Sequence, residues 1–153
     1  MNMIGGEIQP LADVEAMVKR KELPTAKELE KLFKDIQVIH KMITNGDSKA
    51  GEWERYLISV SSLLYRAYPK QVLDIVSNSS SSTDLLEWAN DAMTVIAALY
   101  PYRDESTKIV FGGTLVRLRR VVNERLSKFR DTGNLEATGY LASISTLADA
   151  IYI

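Results

Sequence analysis

The sequence contains no cysteine, one histidine, eight glycines and four prolines in 153 residues. Without thiols it has no means to build a disulfide scaffold, a thiolate zinc site, an iron-sulfur cluster or a cysteine nucleophile. The lone imidazole, His40, narrows the chemistry further. Zinc and di-iron centres usually take two or more histidines, and a Ser-His-Asp site would have to be built on that one ring. Sheet-rich chains place turn residues about every eight to twelve positions, so glycine and proline this scarce favour helices. No stretch approaches the roughly eighteen uninterrupted apolar residues needed to span a bilayer. Residues 1–6 lack the basic start and apolar run of a secretory signal. The expected location is therefore the cytoplasm or an intracellular assembly such as a virion, with no membrane partner. Asn78-Ser79-Ser80 matches a glycosylation sequon, which without a secretory signal reads as loop composition.

What the chain does have is helical patterning, in a composition (46% hydrophobic, 25% charged) that suits one domain with a sizeable core. Residues 1–10 read as a short arm containing Gly5-Gly6. Leu11, Val14, Met17 and Val18 then form one stripe, ending at Lys19-Arg20-Lys21. After Pro24, Thr25-Ala26-Lys27-Glu28 has the form of a capping box, and Leu29, Leu32, Phe33, Ile36, Ile39 and Ile43 keep three-four spacing up to Asn45-Gly46. Asp47 or Ser48 is placed to cap a third helix through Trp53, Tyr56, Leu57, Val60, Leu63, Leu64 and Ala67, which Pro69 should kink or end. The polar run 77–82 reads as a connection.

Ser82 or Thr83 should cap a fourth helix running to about residue 100, with Leu85, Leu86, Ala89, Ala92, Met93, Ile96 and Leu99 inward, until Pro101 stops it. A fifth helix is expected over about 107–130 through Phe111, Leu115, Leu118, Val122, Leu126 and Phe129. A sixth should start near Leu135 with Leu141, Ile144, Leu147, Ala148 and Ile151 inward. These segments predict an all-α fold, a single antiparallel bundle of five to six helices over residues 11–153. Its expected core holds Trp53, Leu57, Val60, Leu64, Met93, Ile96, Leu118, Val122, Ile144 and Leu147. No 20- to 50-residue repeat is present, which separates a bundle from a solenoid.

None of the candidate catalytic features carries chemistry. The acids upstream of His40, Asp35 and Glu30, stand five and ten positions away, off the spacing that shares a helix face, and there is no Glu-x-x-His of the di-iron type. Glu52 and Glu54 flank Trp53 and diverge. Gly112-Gly113-Thr114 lacks both the Lys-Ser/Thr of a P-loop and the third glycine of a dinucleotide fingerprint, so the glycines read as a bend or a place of close backbone approach. No enzyme activity, metal or cofactor is expected.

Charge is where the sequence departs from the ordinary. Residues 108–130 hold seven basic side chains against Glu124 alone, a net of +6, while the rest of the chain sums to −7. At about 100° per residue, Arg117, Arg120 and Lys128 fall opposite the apolar stripe, and Arg119, Arg125 and Arg130 flank it. Arginine predominates, and a planar guanidinium grips a carboxylate or phosphate with two parallel hydrogen bonds. Three fates are open to such a ridge: pairing with acids of neighbouring helices such as Glu28, Glu30 or Asp35, docking on an acidic protein surface such as another copy, or binding a nucleic-acid backbone. A pI near 5.9 weighs against a dedicated DNA-binding domain. Val116 and Val121 lie among the arginines off the core stripe, and the chain ends on the apolar Ile151-Tyr152-Ile153, so both places need a cover. The expected role is a non-catalytic structural or interaction protein, coat-like or scaffold-like, that assembles with itself or a protein partner through Arg117, Arg119, Arg120, Arg125, Lys128, Arg130, Tyr152 and Ile153. The alternative is a small nucleic-acid-binding or packaging protein using helix 117–130.

Overall fold

A computed structural model describes residues 8–78, 81–132 and 134–151, leaving aside the side chains of residues 108, 110 and 129–132. The described residues are helical with no strand: α1 (Leu11–Lys19), α2 (Ala26–Thr44), α3 (Ala50–Ser77), α4 (Thr83–Ala98), a 3-10 turn (Tyr100–Tyr102), α5 (Glu105–Thr132) and α6 (Leu135–Asp149).

Local chemistry sets most of the boundaries. At the start of α2 the Glu28 amide donates to Thr25 Oγ1 at 3.1 Å and the Thr25 amide donates to Glu28 Oε1 at 2.9 Å, which completes the capping box and satisfies donors that would otherwise be orphaned. Ser82 caps α4 by accepting the Leu85 amide at 3.3 Å, and Asn134 caps α6 by accepting the Ala137 amide at 3.1 Å. Gly46 takes the left-handed backbone after α2, with φ 75°. Asp47 does not cap α3. Its carboxylate accepts the Lys49 amide at 2.8 Å, shaping the turn before the helix, and Lys49 occupies the cap position without a side-chain bond.

Of the two outcomes the sequence left open after Pro69, a kinked continuation and a separate short helix, the third helix takes the continuation. One continuous α3 passes through it, with Pro69 and its neighbours Tyr65, Tyr68, Val72 and Leu73 all buried. The missing hydrogen bond and the clash with the preceding turn are outweighed here by packing on both sides of the proline. Tyr65 stacks edge-on to Phe111 of α5 and donates to the Ile96 carbonyl of α4 at 2.8 Å, while Tyr68 stacks edge-on to Trp88.

The helices α3, α4, α6 and α5 pack in a closed cycle, each against the next. Helix α2 lies on α3 and α4, and α1 lies on α3. Within this arrangement Leu57, Val60, Leu64, Met93, Ile96, Leu118, Val122 and Ile144 are buried as expected, but Trp53 and Leu147 are only half-buried and Leu85 is exposed. Helix α4 has neighbours on three sides, which widens its buried face to take in Trp88 and Val95. Trp88 Nε1 donates to the Pro24 carbonyl at 3.0 Å and so pins the turn before α2.

The end of the N-terminal arm folds back on the domain. Ile8 packs against the core, the Gln9 amide donates to Asp35 Oδ2 at 3.0 Å, and the Tyr56 hydroxyl donates to the Gln9 carbonyl. Residues 1–7, with Gly5-Gly6, lie outside the described residues.

Candidate interaction face on the fifth helix

Asp104 fixes where α5 begins. Its Oδ1 accepts the Thr107 amide at 2.9 Å and the hydroxyls of Ser106 and Thr107 at 2.8 Å each, and these donors hold its carboxyl below the ordinary carboxylate range. Phe111, Leu115, Leu118, Val122 and Leu126 face inward on α3 and α6. The helix therefore presents its opposite side outward.

The basic side chains divide into two groups. Arg117, Arg120 and Lys128 are exposed. Arg119 and Arg125, on the flanks of the core stripe, are turned inward, which corrects the expectation of an unbroken outward ridge. The Arg119 guanidinium donates from Nη2 to the carbonyls of Ala148 at 3.0 Å and Ile151 at 2.6 Å, with Asp149 Oδ1 3.7 Å from its Nε. It thus neutralises the carbonyl end of α6, where the helix dipole is negative. Arg125 is 8% exposed. Both follow from packing on two sides: a long aliphatic stem on the flank is covered by the neighbouring helix, and the head group reaches whatever acceptor lies beyond it. The Arg130 side chain, Tyr152 and Ile153 lie outside the described residues, whereas Ile151 is fully buried against its own chain.

The acids proposed as intramolecular partners are used elsewhere. Glu28 takes a two-pronged contact from Arg20, with Nη1 to Oε2 at 2.9 Å, Asp35 pairs with Lys31 at 2.8 Å, and Glu30 pairs with Lys34 at 3.0 Å. Among the described residues, Arg117 and Arg120 have neither a hydrogen-bond nor an ion-pair partner.

Beside these two free guanidiniums, the N-terminal half of the outer face of α5 carries two exposed apolar side chains. Ile109 is 85% exposed and Val116 is 64% exposed, and Gly113 lies between them one helical turn from each, with open space where a Cβ would stand. Val121, the other off-stripe valine, is covered by its own fold. The face thus combines protruding β-branched side chains, a shallow spot at Gly113 and two cations. Single exposed apolar residues are common, but two on one face beside unpaired arginines make a surface suited to burial.

Among the described residues, two further surface grooves bear on function. One, of about 250 Å³, runs between α2 and α4 and is floored by Leu29, Phe33 and Val95 with Glu30, Asp91 and Thr94 at its edges. Burial first, and the nearby Glu87 carboxylate second, raise the pKa of Asp91, and among the described residues no cation pairs with it. The other, of about 330 Å³, lies between α1 and α3, where its acids Glu15 and Asp104 already serve Lys19 and the start of α5. His40 lines neither. Its Nδ1 is 2.5 Å from the Tyr102 hydroxyl with the rings edge-on, tying α2 to the 3-10 turn.

Sequence reasoning found the basic helix but missed the α2–α4 groove and the Arg119 clasp. The groove combines two helices whose mutual register no single-helix pattern reveals. Compared with protein-family models, curated proteins and solved structures, the chain matches none of them. Among the described residues, no helix is long and apolar enough to cross a membrane.

Proposed function

We propose that this chain is a non-catalytic interaction protein, a coat-like or scaffold-like subunit built as a single antiparallel bundle. It assembles with itself or docks a protein partner through the outer face of α5. The observation that carries this reading is the pairing, on one exposed helix face, of Ile109 and Val116 with Arg117 and Arg120, whose guanidiniums have no acceptor among the described residues. Apolar area removed from water contributes roughly 25 cal/mol per Å², and exposed arginines beside it supply orientation and partner choice.

The inward turn of Arg119 and Arg125 weakens the nucleic-acid alternative, since fewer cations remain to neutralise phosphates. The full chain and an Arg117→Glu/Arg120→Glu variant, compared by light scattering with mass determination and by retention on DNA and RNA, distinguish the readings. Loss of an oligomer or of a protein complex in the variant supports the proposal. Retention on nucleic acid that falls steeply with salt and vanishes in the variant, with the chain monomeric throughout, replaces it by the alternative.

A further inference from the structure

Among the described residues outside the fifth helix, the α2–α4 groove has a chemistry that mirrors that of the α5 face. Its floor is apolar (Leu29, Phe33, Val95), its rim carries the carboxylates of Glu30 and Asp91, and Glu87 stands near Asp91. The α5 face offers Ile109 and Val116 as apolar projections and Arg117 and Arg120 as cations. The two surfaces do not meet within one molecule. Helix α5 packs on α3 and α6, and the groove lies on α2 and α4, across the cycle of helices.

We propose that the outer face of α5 docks into the α2–α4 groove of a second copy of this chain, so that assembly is head-to-tail rather than a symmetric pairing of like faces. This rests on the reading of α5 as the interaction face and adds the identity of its acceptor. Charge segregation favours a second copy as the occupant. Arg117 and Arg120 are exposed on α5 and the groove carries Glu30 and Asp91, so two copies brought together through α5 alone set cation against cation, whereas α5 against the groove of a neighbour sets cation against acid. Asp91 adds to this: a carboxyl half-shielded from water next to Glu87, without a cation of its own among the described residues, is relieved by an arriving guanidinium. Glu30 holds Lys34, but that pair is solvent-exposed and readily exchanged. Because donor and acceptor differ, each copy keeps one of each free, and the contact propagates as a ring or filament unless its rotation closes on two copies.

The experiment uses the full chain and two variants, each spoiled on one surface: Arg117→Glu/Arg120→Glu on α5, and Glu30→Lys/Asp91→Lys in the groove. The exposed Glu30→Lys alone serves as a fallback should the double groove variant lower the melting temperature. Mass is followed by light scattering at low and high salt. The expected result is that the wild-type chain assembles, that each variant alone is monomeric or at least tenfold weaker in self-association, and that an equimolar mixture of the two associates again as a dimer or larger, since one intact face and one intact groove remain and the reversed face and reversed groove are also of opposite charge. Raising salt to about 1 M, where the screening length falls to about 3 Å, should weaken both assemblies.

If the α5 variant loses assembly while the groove variant keeps it, or if mixing fails to restore association, the groove is not the acceptor although α5 remains the interaction face. A wild-type chain that stays monomeric at all concentrations overturns self-assembly and this proposal together. Nucleic-acid retention lost in the α5 variant and unchanged in the groove variant, without assembly, assigns the α5 cations to phosphate instead.

Discussion

The guanidinium of Arg119, midway along α5, donates to the main-chain carbonyl of Ile151, thirty-two residues further on and just past the end of α6. With the companion bond to the Ala148 carbonyl, this ties the last described turn of the chain to the helix whose outer face is proposed to bind. A cation that looked available from its sequence position is thus a clasp for the C-terminal helix.

Arg119→Ala is expected to destabilise the fold by about 1 kcal/mol. Charge-assisted hydrogen bonds are worth about 1.5–3 kcal/mol when well buried, and this side chain is one-third exposed. The melting temperature should fall by about 2–4 °C. Arg119→Lys, with a single ammonium in place of the fork, should recover only part of this. Thermal melts of the three chains check it. Unlike Arg120→Glu, Arg119→Ala should leave association almost unchanged once stability is matched.

Acid should loosen the junction of α1 and α2. The Arg20 guanidinium, followed by the Thr25 amide, lowers the Glu28 pKa from an ordinary 4.5 to about 2. A depressed carboxyl stabilises the fold above its unfolded pKa, and that contribution is lost as pH falls through the window from 4.5 to about 2. Glu28→Gln should lower the melting temperature near neutral pH and flatten its dependence across that window. Equal slopes for variant and wild type in acid titrations would count against the Arg20–Glu28–Thr25 arrangement.

Two buried tyrosines three residues apart should respond in opposite ways to loss of their hydroxyls. Tyr65 donates to the Ile96 carbonyl, so Tyr65→Phe should cost about 0.5–1.5 kcal/mol. The Tyr68 hydroxyl is buried with no hydrogen-bond partner among the described residues, so Tyr68→Phe should be neutral or slightly stabilising. Denaturant titration of the pair measures both.

The same substitution should also change sign between two glycines. Gly113 sits in a helix with open space at its Cβ position, and Gly113→Ala should stabilise the isolated chain by about 0.5–1 kcal/mol. Gly46 holds a φ of 75°, and Gly46→Ala should destabilise by about 1 kcal/mol through the left-handed backbone. Comparing the two unfolding midpoints checks the assignment of α5 through the glycine pair.

The helices were largely legible because three-four spacing, Thr25 and Ser82 act within a few residues of one another, whereas the Asn134 cap of α6 came only with the structure. The sequence left open whether α3 continues through Pro69, because what sustains the helix there is packing from Trp88, Ile96 and Phe111, residues remote in sequence. On α5 the angular position of each arginine could be calculated, and Arg117 and Arg120 are exposed as that angle implies. The flanking Arg119 and Arg125 depend on which neighbours cover the two sides of the helix, and this is decided by the cycle of α3, α4, α6 and α5. Trp88 shows the same limit: the broad burial of α4 arises from three neighbours, not from its own pattern.

The central claim is that the outer face of α5 meets a second copy of this chain. Mass determined by light scattering over a wide concentration series of the full chain, in about 0.1 M and about 1 M salt, tests it most directly. The predicted result is a mass that rises with concentration and falls back toward the 17.2 kDa monomer at high salt, with Arg117→Glu/Arg120→Glu held near the monomer throughout. A mass fixed at the monomer for the wild-type chain under every condition, or an oligomer that the double variant leaves intact, would contradict it.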